Sequence, residues 1–370
     1  MNKLCLVTAA LALLCLGGIA QANVFDLGPG LTNLETVTVG DPGNAGDDRY
    51  TSRYGSVAYT YNIGKYEVTA GQYTAFLNAV AKADTYGLYN TSMDTEVYAS
   101  GCNIKRSGVS GNYIYTVAPD WANRPVCQVS YWDSCRFANW LSNGQPTGAQ
   151  DAATTERGAY ILDGYTGQDG RSIVRNAGWT WAVTSKDEWY KAAYYDPRVQ
   201  AYWGYPTGSD VKPSNVGSDG YTDPGNSANY RSGNWTTFNY TIGAPYYRTN
   251  VGEFENSASP YGTFDQGGNV SEWNEAIEQL GSDYAFRGIR GGSYWHLEVD
   301  MWAMADNWSR ANRESTEFGF RVVQLVPEPS SLIALGGGLA GLLTIGRRRR
   351  ITLGPCEKQN SEMLRDGSHP

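Results

Sequence analysis

The sequence predicts an α+β body with few helices, short strands and long ordered loops. Three observations carry that prediction. Glycine supplies 44 of 370 residues, and Tyr, Trp and Phe supply 27, 12 and 9; backbone freedom beside bulky side chains suits tight loops packed on an aromatic interior. Helix-start patterns occur only three times in the body. Between residues 195 and 261 no helical spacing occurs, only the Gly, Asn, Tyr and Pro of long loops.

The helices are marked at their starts. Thr69 and Gln72 precede Tyr73, Phe76, Leu77 and Val80, an i, i+3, i+4, i+7 stripe. Ser130 and Asp133 precede Phe137, Ala138, Trp140 and Leu141, and Ser185 and Glu188 precede Trp189, Ala192 and Ala193. In each, a hydroxyl can accept from a first-turn amide while a side chain three residues on reaches back, so these hydroxyls read as caps rather than nucleophiles. Short strands are expected at 57–63, 126–129, 179–183, 286–290 and 319–323. No internal repeat is present.

The two ends read as addresses. Residues 1–22 have the form of a secretory signal: Lys3, an apolar run from Leu4 to Leu16, and Ala20-Gln21-Ala22 at the cleavage site. Residues 23–56 form a lead-in. At the other end, Pro327-Glu328-Pro329 precedes a run from Ser331 to Gly346 and then Arg347 to Arg350. That run spans about 24 Å as a helix, a short transmembrane segment against a ~30 Å hydrocarbon core, with arginines on the cytoplasmic side. The 327–350 stretch resembles the bacterial PEP-CTERM sorting signal. The resemblance implies export, a membrane-bound processing enzyme as partner, and a place at the cell surface or in its matrix after transient anchoring. Residues 351–370 extend beyond it and are expected to be disordered.

Composition excludes several functions. The formal charge is −8, from 29 basic and 37 acidic residues, and it is more negative still without the basic tail; nucleic acid is a poor partner for such a surface. His296 and His369 are the only histidines, which excludes iron or zinc held by a histidine cluster. Cys102, Cys127 and Cys135 remain between the two address segments, so one bridge at most, with a thiol left over, is expected.

Six ordered motifs carry a second resemblance. They are Ile63-Gly64-Lys65-Tyr66-Glu67-Val68-Thr69, Pro125-Val126-Cys127-Gln128-Val129-Ser130-Tyr131 and the segment from Trp181 to Trp189, each leading into a helix, followed by Gly268-Asn269-Val270-Ser271-Glu272-Trp273, Arg290-Gly291-Gly292-Ser293-Tyr294 and Gly319-Phe320-Arg321. In this order the chain resembles the formylglycine-generating enzyme (sulfatase-modifying factor) domain, with the domain placed at 57–326. The resemblance implies a single C-type-lectin-like domain.

It also implies what to look for as chemistry. Active members oxidise a substrate cysteine using copper held by two cysteines soon after the Gly-Gly-Ser motif. Those positions fall near His296 and Met301, and residues 295–313 contain no cysteine, so a soft Cu(I) ion lacks its thiolates and copper is not expected. Related sulfoxide synthases need several histidines that this chain does not have. Gly292, Ser293 and His296 remain as residues of the cleft. The resemblance further implies calcium, a hard cation that takes carboxylate and carbonyl oxygens, at Asp265 and Glu272 by side chain and at Gly268 and Val270 by carbonyl. A second calcium site would fall near Asn229 and Tyr230, where Gly243 stands in place of the acid.

The expected function is a surface-associated, non-catalytic binding or structural module stabilised by calcium, with a glycan or peptide as ligand. The alternative is a formylglycine-generating oxidoreductase, disfavoured by the missing cysteine pair. Trp203, Tyr205, Trp235, Tyr246 and Tyr247 are either stacking surfaces for such a ligand or loop packing.

Overall fold

All three helix starts form capping boxes. Thr69 caps Ala70–Val80, Ser130 caps Tyr131–Ser142 and Ser185 caps Lys186–Tyr194, and in each the third helical residue bonds back to the cap amide. A fourth, single-turn helix, Pro119–Ala122, begins at a proline whose missing N–H costs nothing there. In chain order these four are α1 (70–80), α2 (119–122), α3 (131–142) and α4 (186–194).

The computed structural model describes residues 33–216, 223–234, 237–279 and 285–327. The export signal 1–22, the sorting tail from 328 onward, the extension 351–370 and Trp235 lie outside the described residues. Among the described residues no helix is long and apolar enough to cross a membrane.

Two four-stranded sheets organise residues 33–325. In chain order the strands are β1 (Thr36–Val39), β2 (Tyr61–Gly64), β3 (Ile104–Ser107), β4 (Ile114–Val117), β5 (Trp181–Val183), β6 (Tyr195–Asp196), β7 (Ala201–Tyr202), β8 (Arg231–Asn234), β9 (Thr237–Tyr240), β10 (Ser271–Gln279), β11 (Ala285–Arg290), β12 (Asn307–Arg310), β13 (Phe318–Gly319) and β14 (Val322–Leu325). One sheet runs β1-β2-β14-β5 and is antiparallel throughout. The other runs β12-β11-β10-β13, with β13 parallel to β10.

The expected architecture is present, with local differences. The strand expected at 319–323 is split into β13 and β14, which feed different sheets with Arg321 between them. Residues 126–129 form no strand. The Val126 amide donates to the Val68 carbonyl and Thr69 bridges Pro125, so this stretch laces two helix entries together instead of joining a sheet. The folded body also starts ahead of residue 57, because β1 pairs with β2 from Thr36–Gly64 to Val39–Tyr61.

The core lies between α1, α3 and the first sheet. Phe137 is its hub, with ring centroids 5.3 Å from Phe76, 5.3 Å from Phe320 and 6.3 Å from a stacked Tyr73. Edge and tilted contacts of this kind add to area burial. Helix α4 is fixed by charge as well. Glu188 accepts from the Ser185 amide (2.6 Å), the Tyr59 hydroxyl (2.6 Å) and both terminal nitrogens of Arg175 (2.8 Å each). Arg175 Nε reaches on to Glu275 of β10 at 2.8 Å. One carboxylate thus caps a helix and ties it to both sheets.

That dual role sets a testable ratio. Ser185→Ala removes a cap and should cost about 1 kcal/mol in urea denaturation. Glu188→Ala removes the cap and also takes two of the bonds of a buried guanidinium, leaving it only Glu275 and the Val183 carbonyl, and should cost about 3 kcal/mol. Equal losses would show that Glu188 acts as a cap alone.

Candidate functional site

Strand β11 ends in a turn that only glycine fits comfortably. Gly291 and Gly292 have φ of +90° and +68°, and a Cβ on Gly291 would lie 2.6 Å from the Gln266 carbonyl oxygen. The turn delivers Ser293, fully buried, whose hydroxyl meets His296 Nδ1 at 2.8 Å and accepts from the Trp295 amide at 3.2 Å. His296 Nε2 lies 3.6 Å from a Glu317 carboxylate oxygen. Beside the turn is an open cleft of about 280 Å³, lined by Arg290, His296, Asp300, Trp308, Arg313 and Glu317 among others. Both charge signs and an indole therefore share a small space.

The two positions that would hold thiols in an active relative part company. His296 stands on the cleft wall, whereas Met301 is fully buried in a cluster with Ala228 and Tyr230. They form no shared ligand pair. Cys102, Cys127 and Cys135 are all buried thiols away from the cleft lining.

The residues read as a calcium set lie in the turn before β10, with Glu272 on the strand itself. Asp265 and Asn269 have positive φ, as does Gly268, where a Cβ would fall 2.2 Å from the Asn229 carbonyl oxygen. Glu272 is fully buried and taken up by protein. Arg321 grips it through Nε and a terminal nitrogen, both at 2.6 Å, and Trp189 Nε1 adds a third bond at 2.7 Å. Asp265 accepts from the Gly252 amide at 2.6 Å and borders a cavity of about 10 Å³, the size of one water.

Glu67 completes this region and was not singled out from the sequence. It is fully buried, and its Oε1 has no partner among the described residues. Burial, then the charges of Asp265 and Glu272, push its carboxyl well above the usual range. Burial pushes Asp265 up to about 6. Three carboxylates thus face one guanidinium, and protons or a cation must take up the surplus. Asp265 is the one carboxylate bordering that cavity, while Glu272 is largely committed to Arg321. Among the described residues no three His, Cys, Asp or Glu side chains converge as a metal cage.

The second predicted calcium position is knitted by hydrogen bonds. Asn229 Nδ2 donates to the Tyr247 carbonyl (3.0 Å) and to Asn269 Oδ1 (2.9 Å), and the Asn229 carbonyl accepts from the Asn269 amide (2.8 Å). Tyr230 is buried with its hydroxyl on the Pro213 carbonyl at 2.6 Å. Asn229 Oδ1 has no partner among the described residues, but no carboxylate stands at Gly243.

Of the aromatic residues read as either stacking surfaces or loop packing, those described are packed. Tyr246 bonds Asp120 at 2.8 Å beneath the Arg124 guanidinium, and Trp203, Tyr205 and Tyr247 are half-buried. Exposed rings do occur after the Gly-Gly-Ser turn, where Trp295 is 42% and Trp308 43% accessible. Trp295 stacks on Phe238 at 5.7 Å. The run of three indoles at 295, 302 and 308 in the stretch after that turn was the available signal.

Residues 36–326 match the sulfatase-modifying factor enzyme 1-like domain family. Residues 325–350 match the PEP-CTERM protein-sorting motif. Among solved structures, CarF is similar at 19% identity and TM-score 0.50, over 80% of this chain and 99% of that chain. The variable protein 1 of Treponema denticola shares 17% identity at TM-score 0.46, over 81% and 98% of the two chains. PvdO from Pseudomonas aeruginosa shares 17% identity at TM-score 0.42, over 79% and 92%. No curated protein matches. At 19% identity the likeness to CarF is one of fold.

The buried carboxylates give stability a definite pH sign. Unfolded carboxyls titrate near 4, whereas burial raises Asp265 and Asp133 to about 6, and burial with the Asp133 charge raises Glu314 to about 8. Each binds its proton more tightly when folded. The stability they lend is therefore complete below about pH 4 and drains as pH climbs through 6 and 8. The melting temperature should be higher at pH 5 than at pH 8, and Glu67→Gln should narrow that difference by stabilising the protein at pH 8. A melting temperature that rises from pH 5 to pH 8 would contradict this.

Proposed function

The chain belongs to the sulfatase-modifying factor enzyme 1-like domain family, and from that membership we propose that it is a non-catalytic recognition module whose ligand site is the cleft beside the Gly-Gly-Ser turn. The PEP-CTERM motif marks an exported bacterial cell-surface protein sorted by an exosortase. The observation that carries the reading is the content of the cleft wall. Residues 295–313 supply no thiol; they supply His296, Asp300, Trp308 and Arg313.

That lining suits a glycan. An exposed indole offers a flat apolar face to the C–H side of a sugar ring, and Asp300, Asn307 and Glu317 offer acceptors and a donor to its hydroxyls. Polar and charged side chains predominate on this wall, which suits a hydroxyl-rich ligand. Long loops held on a rigid scaffold present such a wall without requiring chemistry.

A surface-glycan array probed with the exported protein tests this reading. Selective binding is expected, weakened at least about tenfold by Trp308→Ala with the fold intact by circular dichroism. Background binding across the array would remove the proposal, and binding to peptides alone would replace the ligand class.

Calcium is proposed as the ion that neutralises the buried carboxylates. Asp265, with the carbonyls of Gly268 and Val270, would hold it, Glu272 staying on Arg321 and contributing only its charge, and the ion's role there is structural. Millimolar calcium should raise the melting temperature at pH 7.5 over a chelated sample, and Asp265→Asn should abolish that rise. Identical melting with calcium and with chelator would count against the ion.

A further inference from the structure

We propose that Cys102 and Cys127 are joined as a disulfide in the exported protein. The two thiols belong to segments laid side by side. Cys102 Sγ lies 3.7 Å from the Cys127 carbonyl oxygen, and Cys127 Sγ lies 3.9 Å from the carbonyl oxygen of Ser100, two residues before Cys102. Both side chains are fully buried, so neither is displaced by solvent. Cys135 sits apart on α3, packed with Tyr131.

Their surroundings hold that approach. Arg248 donates to the carbonyls of Ser100 and Gly101 and, on its other side, to the Thr316 carbonyl at 3.0 Å. Gly101 has no room to retreat, because a Cβ there would fall 2.5 and 2.6 Å from the Ser92 and Met93 carbonyl oxygens. The segment carrying Cys102 is thus clamped from two directions against the one carrying Cys127. Burial opposes ionisation of Cys102, but the contact with Cys127 and the Arg248 charge outweigh it and hold this thiol below its ordinary value. Burial and the shared contact push Cys127 upward.

The chemistry balances with an oxidant of a stated class, a disulfide-bonded thiol oxidase of the export compartment. Cys102 loses its proton and attacks one sulfur of the oxidase disulfide, releasing the other as a thiolate and forming a mixed disulfide. Cys127 loses its proton and attacks the Cys102 sulfur, and the second oxidase thiolate leaves. The chain gives up two electrons and two protons, and the oxidase ends as a dithiol. Complete burial of both sulfurs in the folded form places the reaction before the core closes, during folding after export. Export of this chain follows from its sorting motif, and such compartments favour bridged cysteines.

The bridge would close a loop around β3, β4 and α2. The 103–126 excursion is built of short elements, and a staple at its base removes loop-closure entropy from the unfolded chain.

The test is peptide mapping of the full chain taken from the exported fraction, unfolded in denaturant with an alkylating agent and no reductant so that buried free thiols are labelled. Chymotrypsin cuts at Tyr131 and Trp132 and so separates Cys127 from Cys135. A cross-linked pair of peptides holding Cys102 and Cys127, with Cys135 alkylated, is expected. Reduction should lower the melting temperature by roughly 5–10 °C, and Cys102→Ser should melt at the reduced value with or without reductant. Alkylation of Cys102 and Cys127 alike, or a link from Cys102 to Cys135, would overturn the assignment.

Discussion

The buried pair of Arg321 and Glu272 is the constraint on which the rest of the structure depends. Arg321 lies between β13 and β14, the two strands that enter different sheets. Its guanidinium is fully buried and holds Glu272 of β10, the Gly64 carbonyl that ends β2 (2.9 Å) and the Phe264 carbonyl (2.9 Å). Glu272 in turn receives the Trp189 indole of α4. Burying two charges costs several kcal/mol each and is repaid only when nearly every donor and acceptor is used. Here the partners come from both sheets, α4 and the turn before β10, so the pair is satisfied only when all of them are in place. The site inherits that order. Trp189 also offers its carbonyl to Gln266, and the Gln266 backbone meets the Gly291 turn from below.

What the sequence made legible was local. Ser130 with Asp133, and Ser185 with Glu188, announce a helix start through contacts three residues apart, and those contacts form. Strand β1 gave no such sign, because its partner Ile63 lies far along the chain and neither residue reveals the pairing. The apolar run Val126 to Val129 has the composition of a strand, yet its amides go to Val68 and to Ser315, partners that only the closed fold supplies. The site divides in the same way. Ser293 and His296 are neighbours in sequence and could be named together. Glu317 reaches His296 from the β13 end, and Glu67 reaches the carboxylate cluster from the start of α1. Both meetings are products of tertiary structure.

On the proposed reading, this chain keeps the fold of the family without its chemistry. Its scaffold is retained down to the glycine turn that aims the cleft, because that turn is demanded by close packing against Gln266. The cleft wall carries acids, two arginines, a histidine and an indole. Such side chains on a rigid frame suit recognition at a cell surface, where the sorting motif places the protein. The exposed Trp295 and Trp308 make sense in that setting, since large apolar groups left in water commonly mark a contact surface.

The most direct test of this account is catalytic. Copper-loaded protein, supplied with oxygen and a cysteine-containing sulfatase peptide, should leave the peptide unchanged by mass spectrometry, because the cleft lacks the thiolates that would hold Cu(I). Conversion of the peptide cysteine to formylglycine would contradict the account and return the cleft to enzymology.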